Sequence, residues 1–327
     1  MAAAPSDLSV SVLICAYTEA RWEALTAAVA SVLHQTRPAL ELIVVCDHNS
    51  ALLARVAQLP GVVAAENTGE RGLSGARNSG LRLARGEVVA FLDDDAEAQP
   101  NWLEQLIAGY TRAEVAGVGG AITPRWPERR PRWFPEEFDW VVGCTYRGMP
   151  TAAAPVRNLI GCNMSLRRAV FAKAGGFRQD MGRVGRLPVG CEETELCIRV
   201  GQALPGSQML YQPAARVAHQ VTAERTTWRY FLSRCFHEGR SKAAVAALAG
   251  SRVGLATERA YALRTLPRGV LRGLADTLTG RDLAGALRAA AIGLGLAFTG
   301  LGYVTGRVSQ VLGRQRWAPT AGNNPVG

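Results

Sequence analysis

Val88-Val89-Ala90-Phe91-Leu92-Asp93-Asp94-Asp95 is a short apolar run that stops abruptly on three carboxylates. A run of this length and composition reads as a buried β-strand. Adjacent carboxylates repel, because each charge raises the cost of ionising its neighbours. A hard divalent cation at the strand's carboxyl end relieves that repulsion, and oxygen ligands suit Mg²⁺ or Mn²⁺. Mg²⁺ is commonly held by one or two carboxylates together with substrate phosphates, so the triplet points towards phosphate chemistry. The competing reading is a solvated acidic turn.

Outward from this strand the pattern repeats. Apolar, β-rich runs stand at 8–16, 40–46, 61–65 and 115–122, and helical spacing at 21–35, 51–58, 69–85 and 100–112. Strands alternating with helices predict an α/β fold with a Rossmann-like, mostly parallel sheet flanked by helices. In such sheets ligands bind beyond the carboxyl ends of the strands, the edge that carries both Asp47 and Asp93 to Asp95. Two acidic sites from different strands weigh against a solvated turn. Asp47 has its own alternative, an N-cap for the helix from Ala51.

Residues 124–155 change character, with Trp126, Trp133, Trp140, six prolines and arginines at 125, 129, 130 and 132. Long ordered loops are usually functional, and a minor aromatic core is the alternative. Further on, 158–166 reads as a strand and 167–174 as a short helix closed by Gly175-Gly176. Glu192-Glu193-Thr194-Glu195 reads as a helix N-terminus, where acids complement the dipole. Two short strands are expected at 209–212 and 216–218, with His219 directly after.

The 327 residues carry a net charge of +10, unevenly placed. Residues 1–223 hold 22 basic and 22 acidic side chains, whereas 224–317 hold 15 and 5. The asymmetry predicts an anionic partner for the C-terminal region, membrane surface or nucleic acid. Residues 224–312 look helical, and 289–304 lack any charge. Sixteen residues are fewer than the roughly 20 a spanning helix needs. A helix at the membrane interface fits, with Arg264, Arg268, Arg272, Arg281, Arg288 and Arg307 near lipid phosphates; a buried helix is the alternative. The apolar run and its glycines favour lipid, and nucleic acid is not expected as a partner. Residues 1–11 lack the basic-then-apolar pattern of a signal peptide. Seven scattered cysteines form no Cys-x-x-Cys pair, which suits reduced thiols in a cytosolic compartment, most of them in the core.

Six segments, taken in order, resemble the family 2 glycosyltransferases of the GT-A fold, over about 9–242. They are the opening strand from Ser9 to Tyr17, the second strand ending Cys46-Asp47-His48-Asn49-Ser50, and Gly72-Leu73-Ser74-Gly75-Ala76-Arg77-Asn78, similar to the family's Ala-Arg-Asn helix. Next come Asp93-Asp94-Asp95, matching its Asp-x-Asp motif, Gly161-Cys162-Asn163-Met164 with Gly175-Gly176-Phe177 on the acceptor side, and Glu192-Glu193 where the family has its base motif. The resemblance implies a metal-dependent, inverting transfer from a nucleotide-diphosphate sugar, UDP-sugars favoured, to a hydroxyl of a glycan or polyprenyl- or other lipid-linked acceptor. It implies a catalytic domain over 1–223, with a nucleotide-sugar half (1–123) and an acceptor half (124–223). A helical C-terminal region (224–327) would then associate peripherally or monotopically with the inner face of the cell membrane, its tail disordered after about 317.

Site residues follow from the same resemblance. Asp95 ligates Mg²⁺ or Mn²⁺, with Asp93 and His219 beside it. Ala16, Tyr17, Glu19, Asp47, Arg77, Asp93 and Asp94 face the donor, Asp94 mattering least. Glu193 is the base, with Glu192 its rival; Glu there departs from the family's usual Asp. Gly161, Asn163, Trp133 and Trp140 face the acceptor. His48 stands where a second Asp or an Asn is common, which leaves base preference open. A nucleotidyltransferase would need a Gly-rich basic loop after the first strand, where Ala16-Tyr17-Thr18-Glu19 stands. A dinucleotide dehydrogenase would need Gly-x-Gly-x-x-Gly there. A non-catalytic binding module would have no reason to keep both the triplet and Glu192-Glu193.

Overall fold

In a computed structural model, residues 7–181, 190–250 and 256–313 are described. Strands β1 (Val10–Ala16), β2 (Glu41–Cys46), β3 (Val62–Glu66) and β4 (Val88–Asp93) alternate with helices α1 (Trp22–Leu33), α2 (Ser50–Val56) and α3 (Leu73–Leu83). Then come β5 (Ala96–Ala98), α4 (Trp102–Ala108), β6 (Val115–Arg125), β7 (Ala154–Val156), β8 (Asn163–Arg167), α5 (Ala169–Ala174), α6 (Glu192–Ala203) and β9 (Gln208–Gln220). The strands join in the order β3-β2-β1-β4-β8-β6-β9-β5, with β7 on β9.

The sheet is parallel through β3, β2, β1 and β4. Beyond β4 it turns antiparallel, through β8 against β4 and β6, and β9 against β5 and β7. The expected parallel order therefore holds for the first four strands. Strands β1, β2 and β4 are buried, as covering a parallel sheet on both faces requires, whereas the edge strand β3 is only partly so. The two short strands expected around 209–218 are one, β9. Pro213 reads as a break, but it falls between the stretch paired with β7 and the stretch paired with β5. Strands β5 and β7 are too short to show in the pattern.

The chain divides into two compact units, one of Met1–Thr123 with Pro150–His219, the other of Pro124–Met149 with Gln220–Thr320. The Trp-rich 124–149 segment groups with the C-terminal helices. Those are α7 (Trp228–Ala249), α8 (Ala256–Ala260), α9 (Leu266–Leu278) and α10 (Gly285–Val311), with a π-turn at Tyr261–Thr265. Thr227 caps α7 by accepting from the Tyr230 amide at 3.3 Å. Helix α10 lies against α7 so closely that a Cβ at Gly302 would overlap the Phe236 carbonyl. The expected tail after about 317 lies outside the described residues.

Candidate active site

At the carboxyl edge of the parallel strands, Asp47 follows β2, and Asp93 ends β4 with Asp94 and Asp95 after it. Asp47 does not cap α2; Asn49 does, accepting from the Leu52 amide at 2.9 Å. Asp47 instead accepts from Asn67 Nδ2 at 2.6 Å and from the Gly72 amide at 2.9 Å. It thereby joins the end of β2 to the start of α3. Asn67, which is buried, also accepts from Gly69 N and Ser79 Oγ.

Arg77 of α3 is a buried hub. Its Nη1 donates to Glu192 Oε1 at 3.0 Å and its Nη2 to the Gly161 carbonyl at 3.3 Å, with Asp93 Oδ1 3.6 Å away. Phe91 and Phe177 flank the guanidinium. A Cβ at Gly161 would stand 2.7 Å from Nη2, so glycine there makes room for the arginine. The next residue of α3, Asn78, donates to the Phe177 carbonyl and accepts from the Phe177 amide, at 2.7 and 2.8 Å. The Ala-Arg-Asn helix therefore ties the Asp-x-Asp strand to both the Gly-Gly-Phe loop and α6.

The three aspartates differ. Asp93 remains partly exposed, while Asp94 and Asp95 are buried. Arg21 Nη1 lies 2.9 Å from Asp94 Oδ1 and 3.2 Å from Asp95 Oδ2. Asp95 Oδ1 is 3.0 Å from His219 Nε2. Burial, reinforced by the Asp95 charge and opposed by Arg21, pushes the Asp94 carboxyl up to about 7. Its Oδ2 is buried without a hydrogen-bond partner. Asp94, expected to matter least, is thus tied into the fold through Arg21.

Asp93, Cys162 and His219 bring one ligand atom each within 4.8 Å of one another. This donor set fits a divalent cation. Cys162 is buried, as most of the cysteines are, but it lies beside the carboxylate site. The signal for it is the β4–β8 register: Leu92 faces Asn163, so Cys162 comes next to Asp93.

Glu192 and Glu193 open α6. Glu192 is buried on Arg77 with Oε2 unpartnered, whereas Glu193 is partly exposed. Cys191, just before them, holds φ 76°, and His48, just after Asp47, φ 49°. Left-handed backbone at such residues costs about 1–2 kcal/mol, and strain of this kind clusters at functional sites.

Other expected residues take different places. Asn163 is satisfied within the fold, accepting from Trp102 Nε1 at 2.8 Å and donating to the Ala121 and Ala215 carbonyls at 3.0 and 2.9 Å. Its side chain ties α4, β6 and β9 together instead of facing an acceptor. Trp133 stacks on Trp228 at 4.0 Å, and Trp140 Nε1 donates to the Tyr261 hydroxyl at 3.1 Å. Both therefore belong to the aromatic packing of the second unit. Glu19 pairs with Arg55 at 3.4 Å, Tyr17 lies under Arg21 at 5.4 Å, and Ala16 is buried at the end of β1.

The profile of the family described as Glycosyl transferase family 2 matches residues 11–175. The chain belongs to this family. A Haloferax volcanii protein named glucosyl-dolichyl phosphate glucuronosyltransferase is 39% identical over 240 residues, covering 72% of this chain and 76% of that protein. The succinoglycan biosynthesis protein ExoM of Rhizobium meliloti is 27% identical over 171 residues; the match covers 52% of this chain and 51% of that one. A mannosyltransferase of Pyrobaculum calidifontis, solved with GDP-Man and Mn²⁺, superposes with a TM-score of 0.58 at 19% identity, covering 96% of this chain and 90% of that one. At that identity the likeness shows the fold, which is of the GT-A type. This family 2 chain is accordingly a glycosyltransferase.

Proposed function

We propose that this glycosyltransferase moves a sugar, with inversion, from a nucleotide-diphosphate sugar to a hydroxyl of a lipid-linked acceptor. The observation that carries the reading is the gathering of Asp93, Cys162 and His219 ligand atoms within 4.8 Å, beside buried Arg77 at the sheet edge. Asp47 and Tyr17 border the donor's nucleoside. Asp93 and His219, with Asp95 beside His219 at 3.0 Å, would hold Mg²⁺ or Mn²⁺, and the cation would supply positive charge to the departing diphosphate. Glu193 takes the acceptor proton, because Glu192 is already bound to Arg77. The acceptor oxygen bonds to the anomeric carbon as the bond to the diphosphate oxygen breaks, and the hydroxyl proton passes to the Glu193 carboxylate. A single displacement of this kind inverts the anomeric centre. The name of the Haloferax relative supports the lipid-linked class of acceptor.

The exposed apolar faces of the C-terminal helices support docking of the enzyme on an anionic membrane, and the cytoplasmic face is the side we propose. Helix α10 is long and apolar enough to cross a membrane by length and composition, yet only 28% of its most apolar window is buried. A core helix would be mostly buried. Leu287, Leu294, Leu301, Val304, Val308 and Val311 stand exposed along it. On α9, Leu271 and Leu278 are 66% and 86% exposed, with Arg268 and Arg272 interleaved. Apolar side chains flanked by arginines suit an in-plane interfacial helix.

The test is a thermal-shift panel of nucleotides and nucleotide sugars with Mn²⁺, UDP-sugars first, followed by transfer to lipid-linked saccharides. Donor-specific stabilisation and an inverted product are expected. No stabilisation by any nucleotide sugar, or a product of retained configuration, overturns the reading.

A further inference from the structure

We infer that Cys162 is a ligand of the cation site and makes that site thiophilic, so that Co²⁺, Zn²⁺ or Cd²⁺ binds in preference to Mg²⁺. The inference rests on the cation site proposed above and specifies its chemistry. Strand register brings the three groups together. Asp93 ends β4, whose antiparallel partner β8 begins at Asn163, so Cys162 lies across from Asp93. His219 arrives from β9 through its pairing with Ala96 on β5.

Ligand bonds of about 2.0–2.3 Å to nitrogen, oxygen and sulfur put two ligand atoms of one ion at most about 4.6 Å apart. The observed separations, within 4.8 Å, are therefore closed by small side-chain adjustments. Cys162 and His219 are only 4% and 3% exposed, so the pocket supplies protein donors where a surface acidic cluster would rely on water. Asp95 beside His219 Nε2 orients the imidazole, as partner carboxylates of ligating histidines do. A set of carboxylate, imidazole and thiolate is softer than the all-oxygen shell that Mg²⁺ demands. On binding, the Cys162 S–H bond breaks, its proton passes to solvent, and the sulfur lone pair goes to the cation.

The test is a Co²⁺ titration of the full chain, alone and with UDP or GDP, followed by near-ultraviolet absorption with equilibrium dialysis in parallel. A thiolate-to-cobalt charge-transfer band is expected in the wild type, displaced by Zn²⁺ or Cd²⁺, absent from Cys162→Ser and retained in Cys15→Ser. Cys162→Ser should also lose the preference for Cd²⁺ over Mg²⁺ while dialysis still finds Mn²⁺ bound. Cys162→Ala, with circular dichroism on both variants, guards against a folding defect. Co²⁺ bound without the band, or a band that survives in Cys162→Ser, overturns the role of Cys162 and leaves the cation site standing. No binding of any of these cations overturns both.

Discussion

Arg77 and Glu192, 115 residues apart, meet at 3.0 Å inside the fold with side chains 3% and 6% exposed. Both groups were expected to face ligands directly. Their mutual engagement makes them the frame on which Asp93 and Glu193 are mounted. Removing one partner leaves the other charge buried, a loss of about 3–5 kcal/mol. Arg77→Met should therefore lower unfolding stability by that order in urea titrations, because Glu192 Oε2 already lacks a partner. Arg77→Met with Glu192→Gln should recover much of the loss. Strict additivity in this double-mutant cycle would show that the pair is not coupled.

The two glutamates separate by measurement. Glu193→Gln removes a partly exposed carboxylate, so kcat should fall by about 10²–10⁴-fold, the usual contribution of a general base, at unchanged Tm. Glu192→Gln should lower Tm through the loss of the charged bond to Arg77. A Glu193→Gln enzyme with wild-type kcat would move the base elsewhere.

Much of this arrangement was legible because apolar strands and their terminal acids are local signals. The β4 triplet, Asp47, the α3 motif and the acids opening α6 all stand in unbroken stretches of sequence. What escaped is non-local. Cys162 meets Asp93 only through antiparallel register across some seventy residues. Asn163 looks like a polar site residue until Trp102, Ala121 and Ala215 are seen to satisfy it. Trp133 and Trp140 stand in a loop-rich stretch whose partners, Trp228 and Tyr261, lie some hundred residues on and are not legible from the sequence.

Glu41, at the opposite end of the sheet, gives a pH signature. Burial pushes its carboxyl up, but the Ser11 hydroxyl at 2.7 Å and the Arg85 amide and guanidinium at 2.8 and 2.9 Å outweigh it and hold the group below the ordinary 4.5. The native state then binds this proton less readily than the unfolded chain. The stabilisation is fully present above the ordinary carboxylate range and is lost as pH falls through the depressed native value. Glu41→Gln should destabilise by about 1 kcal/mol at neutral pH. The gap to wild type should close in acid. A gap constant down to strongly acidic pH would contradict this.

Gly302 fixes how closely α10 approaches α7. Ala there would press its methyl on the Phe236 carbonyl, and overpacking of this kind costs about 1–3 kcal/mol. Gly300, two residues away, faces open space, so Gly300→Ala should be neutral or slightly stabilising because alanine favours helix. Thermal unfolding of the two variants checks the contrast, and equal Tm values would mean the helices do not touch there.

The exposed leucines of α9 test membrane docking independently of catalysis. Leu271, Leu274 and Leu278 cover little of the fold, so replacing all three with Gln should change stability by only about 0.5 kcal/mol each, as for ordinary surface positions. Flotation with anionic vesicles should fall sharply for this variant, and transfer to a lipid-linked acceptor with it. Transfer to a water-soluble acceptor analogue should stay at the wild-type rate. Arg264→Gln with Arg268→Gln should weaken vesicle binding by about 1 kcal/mol per charge, an effect that added salt screens. The apolar variant should show its loss at every ionic strength, because burying leucine in the interface does not depend on screening. A triple-Gln protein that floats as well as the wild type would place the docking face elsewhere on the chain.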